Sequence, residues 1–385
     1  MSSTAIGRVG DTGRPPVPDL ATVREFVDTE VIPNAEAWDQ AEALPRSVLD
    51  RVGELGLWAP FLPADVGGAG LDMITLGKIH EEVGRGCSGL RSMLTVHTMV
   101  SWAVWRRGSA EQHATLLPLL ISGETFGVFC LSEPDNGSDA TATGTIAVED
   151  GDGWVIGGRK KWITGGQVAD IMMVFARTGP GMSAFLVPAT APGVTITPIP
   201  NMLGTRSSMI AEIVFDGVRV PASAMLGPQG WAAGMVMTGA LDMGRFSVAS
   251  GSVGIIQACL DACVDYTSKR EVAEGKLRDL QLIRRKISDL VTSLRAARLL
   301  CEEAGRLKEA GDPATIMATW VAKYFASTKA VAAANDAVQI HGANGCSQDF
   351  PAARLYRDAK IMEIIEGSTE LQQTFIAGEA YREAA

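Results

Sequence analysis

At 385 residues, with 46% hydrophobic and 20% charged side chains, the chain is long enough for several packed layers and has the balance of an ordinary globular protein. Its formal charge of −10 argues against a nucleic-acid partner, whose phosphates need a basic surface, but leaves room for an acidic small ligand held by local cations. Cys87, Cys130, Cys259, Cys263, Cys301 and Cys346 form no CxxC pair, and His80, His97, His113 and His341 lack metal-ligand spacing; buried reduced thiols, a cytoplasmic chain and no metal site are the simple expectation.

Met1 to Asp19, rich in Gly, Pro, Ser and Thr, lacks the apolar core of a signal peptide and reads as a loose tail. From about Leu20 to Ser122 the pattern is helical. Phe26, Val27, Val31 and Ile32 recur at helical spacing, and Pro45 opens a segment with Val48, Leu49, Val52 and Leu55 on one face. Gly67, Gly68 and Gly70 break the chain before helices over roughly Thr75–Arg85, Ser88–Arg107 and Gln112–Ile121. From about Phe126 to Leu226, short strands alternate with Gly, Pro and Asp turns at 150–153 and 178–181, as in an antiparallel sheet. Helix then returns in long proline-free segments near Val236–Ser268, Leu280–Glu309 and Ala314–Ile340, which suit a bundle. The expectation is an α+β chain of three domains, 20–124, 125–228 and 229–385. No strand–Gly-rich-loop–helix unit suggests a Rossmann site. No run reaches the roughly 18 apolar residues that would span a bilayer.

Three segments carry candidate chemistry. Cys130 to Asp139, with Leu131, Ser132, Gly137 and Ser138, offers backbone and hydroxyl donors that could approach a planar heterocycle or phosphate; taken alone, an ordinary Asx/Ser-rich turn is the favoured reading. Lys161-Trp162-Ile163-Thr164-Gly165 could present an indole to a ring or simply end a strand in a core. Near the C-terminus, Glu366 follows an apolar run and precedes Gly367-Ser368-Thr369, which reads as a helix break and restart with Ser368 or Thr369 as N-cap. A carboxylate in an apolar pocket gains proton affinity, as a base for a weakly acidic C–H requires. A solvated Glu at a helix end is the plain alternative.

In this order and at these separations, the three segments resemble the acyl-CoA dehydrogenase superfamily over roughly Leu20 to Ala380. Pro63 to Gly70, Leu241-Asp242-Met243-Gly244-Arg245 and Gln339 to Gly345 add to the resemblance. It implies an N-terminal helical domain, a middle antiparallel β domain and a C-terminal four-helix bundle, with FAD between the last two. Leu131 and Ser132 would meet the flavin pyrimidine edge, and Trp162, Ile163 and Thr164 would line the isoalloxazine. Ser138 would face the thioester ligand's pantetheine or its flavin-side neighbour. Arg270, Gln281, Gln339, Gly342 and Ala343 would complete a neighbouring subunit's FAD site in a dimer or tetramer, with Ser368 and Glu370 near the adenosine-diphosphate half. Ala273-Glu274 stands where relatives have Phe-Gly, Ala343 replaces a Gly, and Glu370 replaces a common Gln. Glu366 would take the proton next to the thioester carbonyl as hydride leaves the following carbon for the flavin. Some relatives carry the base one residue before the Arg that matches Arg245; here that residue is Gly244. Arg245 would order that wall of the pocket, or form an ordinary ion pair.

In Cys87 to Leu94, Arg91 and Ser92 fall on an expected pocket helix, and an Arg in such an apolar run is costly unless paired. Glutaryl-CoA dehydrogenases hold a substrate carboxylate with an Arg in a similar run. Acyl-carrier-protein dehydrogenases of methoxymalonyl- and hydroxymalonyl-type polyketide extender-unit pathways share the Leu90-Arg91-Ser92 run and the Met362–Ser368 ending. The resemblance therefore implies a short polar acyl thioester on an acyl carrier protein, with a dicarboxylyl-CoA as the alternative. An electron-accepting flavoprotein or oxygen would reoxidise the enzyme. Outside that class, a non-catalytic flavin- or acyl-binding scaffold is the competing expectation, and pairing with Glu81 or Glu82 is the plain alternative for Arg91.

Overall fold

Asp19 starts the first helix by accepting from the backbone N–H groups of Ala21 and Thr22, which caps α1 (Leu20–Phe26). The structure is a computed structural model and describes residues 16–179, 181–273 and 275–383. Most of the expected tail, and Glu274, lie outside the described residues. Two short helices follow, α2 (Ala35–Ala41) and α3 (Arg46–Glu54), the latter entered through extended Pro45. Asp72 caps α4 (Met73–Gly86), and α5 (Ser88–Arg107) is buried on almost every side. A Ser109/Gln112 capping box begins α6 (Ala110–Ser122).

The strands are β1 (Gly127–Cys130), β2 (Ile146–Asp150), β3 (Gly153–Ile163), β4 (Ile171–Thr178), β5 (Gly181–Pro188), β6 (Val194–Pro198), β7 (Ala211–Pro221) and β8 (Met225–Leu226). They form one sheet in the order β6-β7-β3-β2-β4-β5-β8. Most pairings are antiparallel. However, β1 runs parallel to β4, because the chain enters the sheet from α6 and comes back beside β1 only after the β2–β3 hairpin. The β3–β7 register slips between Lys160 and Ile163, and such an irregularity re-aims side chains.

A π-helical turn at Ala233–Met237 leads into α7 (Thr238–Lys269). The small hairpin β9 (Glu271–Val272) and β10 (Gly275–Lys276) was not visible in the sequence. It leads to α8 (Gln281–Glu309), α9 (Thr315–His341), α10 (Ala352–Ile364) and α11 (Thr369–Glu383). The continuous helix Ala233–Lys269 is long and apolar enough to cross a membrane by length and composition, contrary to the expectation that no run would be. It is instead 67% buried among other helices over its most apolar stretch. Of the cysteines, all are free and five are buried, but Cys346 is exposed, against the expectation of burial throughout.

Two apolar cores result. One joins the first helices to the sheet, and the other fills the C-terminal bundle. Between them α5 lies along α7. Arg91 crosses Gly251, Thr95 meets Ser247, Met99 abuts Gly244, and Trp102 covers Gly239. On its other side α7 touches α4 backbone to backbone. A Cβ at Gly84 would lie 2.8 Å from the Gly251 Cα, and one at Gly254 would lie 2.1 Å from the Glu81 carbonyl oxygen.

Candidate active site

The break between α10 and α11 is built from Ile365 in extended conformation, Glu366 at φ 57° and Gly367 at φ 93°, with Ser368 as the N-cap of α11. A left-handed Glu costs about 1–2 kcal/mol and persists only where its surroundings hold it. Here three side chains bind the carbonyls of the turn. Arg245 Nε donates to the Glu366 oxygen at 3.1 Å. Lys323 Nζ donates to Gly367 at 2.8 Å and Glu363 at 3.5 Å. Gln372 Nε2 donates to Gly367 at 3.0 Å. Arg245 has no ion-pair partner among the described residues; its guanidinium lies 4.1 Å from the Trp320 ring centre, and Trp320 packs on Phe375.

The Glu366 carboxylate points into the α5–α7 seam. Its Oε2 is sealed from solvent without a hydrogen-bond partner, and its backbone N–H donates to nothing among the described residues. Gly244 makes this possible: a Cβ there would lie 2.3 Å from Oε2. Burial pushes the carboxyl up to about 7, against the pull of Arg245, Lys323 and Arg91. Burial also pushes Lys323 down to about 7.

Further along the seam, Arg91 is fully buried. Nη1 donates to Thr95 Oγ1 at 2.9 Å, and Nη2 donates to Ser92 Oγ and Met362 Sδ, each at 3.1 Å. Nε has no partner. The alternative of pairing with Glu81 or Glu82 fails, because Glu81 binds Arg298 and Glu82 binds Arg24 and Arg85. Behind Arg91, Thr95 and Ser247 share a 2.6 Å hydrogen bond, and Ser247 meets His80 Nδ1 at 3.0 Å. Burial drives His80 down to about 3, so it stays neutral at physiological pH.

At the sheet, buried Lys160 donates to the Leu131 carbonyl at 3.0 Å, Glu133 at 2.7 Å and Thr143 at 3.1 Å. Burial alone would raise the Glu133 carboxyl, but donors from Lys160, Thr143, Thr145 and the Gly144 N–H hold it well below the usual range. The Lys161 N–H binds the Ser132 carbonyl. This network fixes the Leu131–Ser132 edge beside the β3 slip, where Trp162 stands at φ 64° and 48% exposed. An exposed indole held in a left-handed backbone beside a braced edge suits a planar heterocycle. Thr164 is half-buried and Ser138 is exposed in its loop. Ile163 packs into the core, leaving its backbone for any ligand.

The other expected cofactor residues divide into two groups. Arg270, Gln281, Gln339, Gly342 and Ala343 are all exposed at the end of the bundle where α7 stops, α8 starts and α9 stops; Tyr266 ties this end together by stacking on His341. Ser368 and Glu370 lie at the start of α11, close to Lys323. The 18 residues of α9 from Lys323 to His341 separate the two groups by about 27 Å. Lys323, Gln372, Trp320 and the Thr95–Ser247–His80 chain were not anticipated. The available signal was Lys323 standing alone as the charged residue in the apolar stretch Trp320–Ala326.

Comparison with known proteins agrees with this architecture. Residues 20–124, 128–218 and 229–381 match the N-terminal, middle and C-terminal domains of acyl-CoA dehydrogenases. The chain is 39% identical over 367 residues to the mitochondrial short-chain specific acyl-CoA dehydrogenase of Rattus norvegicus, covering 94% of this chain and 89% of that one. It is similar to the structure of FkbI, for biosynthesis of the methoxymalonyl extender unit of the polyketide FK520 (37% identity, TM-score 0.87, 94% and 99% coverage). A glutaryl-CoA dehydrogenase from Mycobacterium smegmatis in complex with FADH2 is also similar (33% identity, TM-score 0.90, 95% and 94% coverage). With its three domains matched in order, and a braced edge and exposed indole suited to a flavin, the chain belongs to the acyl-CoA dehydrogenase family of FAD-dependent oxidoreductases.

Proposed function

We propose that this dehydrogenase oxidises a short acyl thioester with a polar or anionic far end, carried on an acyl carrier protein for polyketide extender-unit biosynthesis. Arg91 carries the reading. It is fully buried, has no carboxylate partner among the described residues, and leaves Nε unbonded. A buried cation in that state is costly until a ligand completes it. An oxygen at the end of the acyl group would do so, and a charge-assisted hydrogen bond is worth about 1.5–3 kcal/mol. On α7, seven residues separate Gly244, beside Glu366, from Gly251, beneath Arg91, a rise of about 10 Å. That spacing suits a short acyl group.

Bound FAD supplies the hydride acceptor. Glu366 takes the proton next to the thioester carbonyl, since its unpartnered, buried carboxylate favours the protonated product. Its free backbone N–H is available to the thioester oxygen, where enolate-like charge develops. Arg245 holds the Glu366 carbonyl and so fixes both groups. Ser92, bound to Arg91, and Ser138, in its exposed loop, would contact the thioester ligand. Leu131, Ser132, Trp162, Thr164 and the Ile163 backbone would hold the flavin.

The carrier-protein preference is supported by the similarity to FkbI and by Leu90-Arg91-Ser92 and Met362–Ser368. A second reading, a dicarboxylyl-CoA, is favoured by the same unpaired Arg91 and by the glutaryl-CoA dehydrogenase similarity. One experiment separates them: flavin reduction by a hydroxylated three-carbon acyl group on a carrier protein and on CoA. Faster reduction by the carrier-protein form is expected. Equal or faster reduction by the CoA form removes the carrier preference, and fast reduction by octanoyl-CoA removes the polar pocket. The separation of the two cofactor groups along α9 also supports a homo-oligomer in which Arg270, Gln281, Gln339, Gly342 and Ala343 serve a neighbour's FAD. Sedimentation of the yellow protein should show no FAD-loaded monomer at micromolar concentration. An electron-accepting flavoprotein or oxygen would serve as the final electron acceptor.

A further inference from the structure

Lys323 is fully buried in α9, yet it pairs with no carboxylate among the described residues. Its ammonium instead reaches the two carbonyls that bracket Glu366, those of Glu363 and Gly367. These belong to the last turn of α10 and the break after it, where helical carbonyls lack intrahelical partners. Burying a lysine merely to cap a helix is wasteful when a neutral donor, such as the nearby Gln372 amide, can bind the same oxygen. The charge therefore needs its own explanation. The charged groups around it are Glu366, Arg245, Glu363 and Glu370. Glu363 is already paired with Lys360, Glu370 is exposed, and Asp242 near Arg245 is held by Lys308. Glu366, half-buried with its Oε2 sealed from solvent, is the carboxylate left without a partner among the described residues.

Resting on the reading of Glu366 as the base, we propose that Lys323 is a positioning residue with two separable effects. Its N–H groups pin the left-handed turn that aims the Glu366 carboxylate, and in its protonated form its charge limits that carboxylate's proton affinity. Without the charge, Glu366 would hold its proton to higher pH and be ionised in fewer molecules at neutrality.

The test uses FAD-bound K323M and K323Q, with E366Q as a spectroscopic blank. Infrared pH titration of the protonated carboxyl band, wild type minus E366Q, reads the Glu366 midpoint without any turnover. The same difference is then taken for each lysine variant in the two backgrounds. Both K323M and K323Q should raise the proton affinity of Glu366 about tenfold, as loss of a nearby opposite charge does. K323Q keeps a donor for Gly367 and should retain most of the flavin-reduction rate at high pH. K323M should lose it about tenfold while the KM for thioester changes little. A midpoint unmoved in both variants overturns the proposal, even where stability or FAD content falls. Failure of both variants to fold also overturns it, because the residue is then structural. If E366Q reduces its flavin at the wild-type rate, the base reading fails instead, while the infrared midpoint still reports the Lys323 coupling.

Discussion

Gly244→Ala tests the geometry of the base with one methyl group. The added Cβ would lie 2.3 Å from Oε2 and 2.6 Å from Cδ of Glu366, and 2.9 Å from Met99 Sδ. Met99 is unbranched and can yield, but Arg245 holds the Glu366 carbonyl and Lys323 and Gln372 hold the next one, at Gly367. Ordinary contact begins near 3.4 Å, so the carboxylate must retreat by about 1 Å. A displacement of that size at a reacting group costs roughly 10²-fold. The assay is anaerobic stopped-flow reduction of the bound flavin by a short thioester. FAD content and thermal stability should change little, whereas the reduction rate falls about a hundredfold. In an E366D background, where the carboxylate is already one methylene shorter, the same Ala should cost far less. Wild-type reduction by FAD-loaded G244A would refute the reasoning, as would equal losses in the two backgrounds.

Glu366→Gln should keep its FAD and slow flavin reduction about 10²–10⁴-fold, measured in the same assay. Because burial raises the Glu366 carboxyl to about 7 and the proposed base works ionised, wild-type reduction should rise with pH through about 7 and level off above it. Near pH 6 it should be about a tenth of the plateau. Arg91→Met should narrow the preference for polar over butyryl thioesters by about tenfold to a hundredfold in kcat/KM, the equivalent of one charge-assisted hydrogen bond. Glu133→Gln strands the buried Lys160 ammonium and should lower unfolding stability by about 3–5 kcal/mol in denaturant titrations. The Glu133 carboxyl is held below its usual range, so its contribution is complete above its unfolded pKa. The gap to wild type should therefore shrink as the pH falls below about 4.

The helices and most strands were legible because their signals are local. Val48, Leu49 and Val52 share one face of α3 and are buried there. The break after α10 was equally local, since Gly367 and Ser368 supply a left-handed residue and a cap. What surrounds that break was not legible. The room for the Glu366 carboxylate comes from a missing side chain on α7, and the hold on its backbone comes from α7, α9 and α11 at once. Sequence spacing says nothing about such convergence. Arg245 was weighed as an ion pair, but an indole supplies its partner, and cations on aromatic faces leave no charge pattern to read. Arg91 stood out only because an arginine is unusual in so apolar a run. That its neighbours would be two hydroxyls and a thioether follows from packing alone.

The glycine seam between α4 and α7 limits how this enzyme could be retuned. Where Gly84 meets Gly251, and Gly254 meets the Glu81 carbonyl, the helices have no side chain left to shorten, and any added one must push them apart. Enlarging or reshaping the proposed acyl chamber from that floor would shift Ser247 and Gly244 along with it, and so disturb the seat of Glu366. The opposite wall is different, because Arg91, Thr95, Met99 and Trp102 reach across from α5 as side chains. Laboratory selection for a new acyl length or polarity should therefore collect its successful changes on α5 and leave the glycines of α4 and α7 untouched.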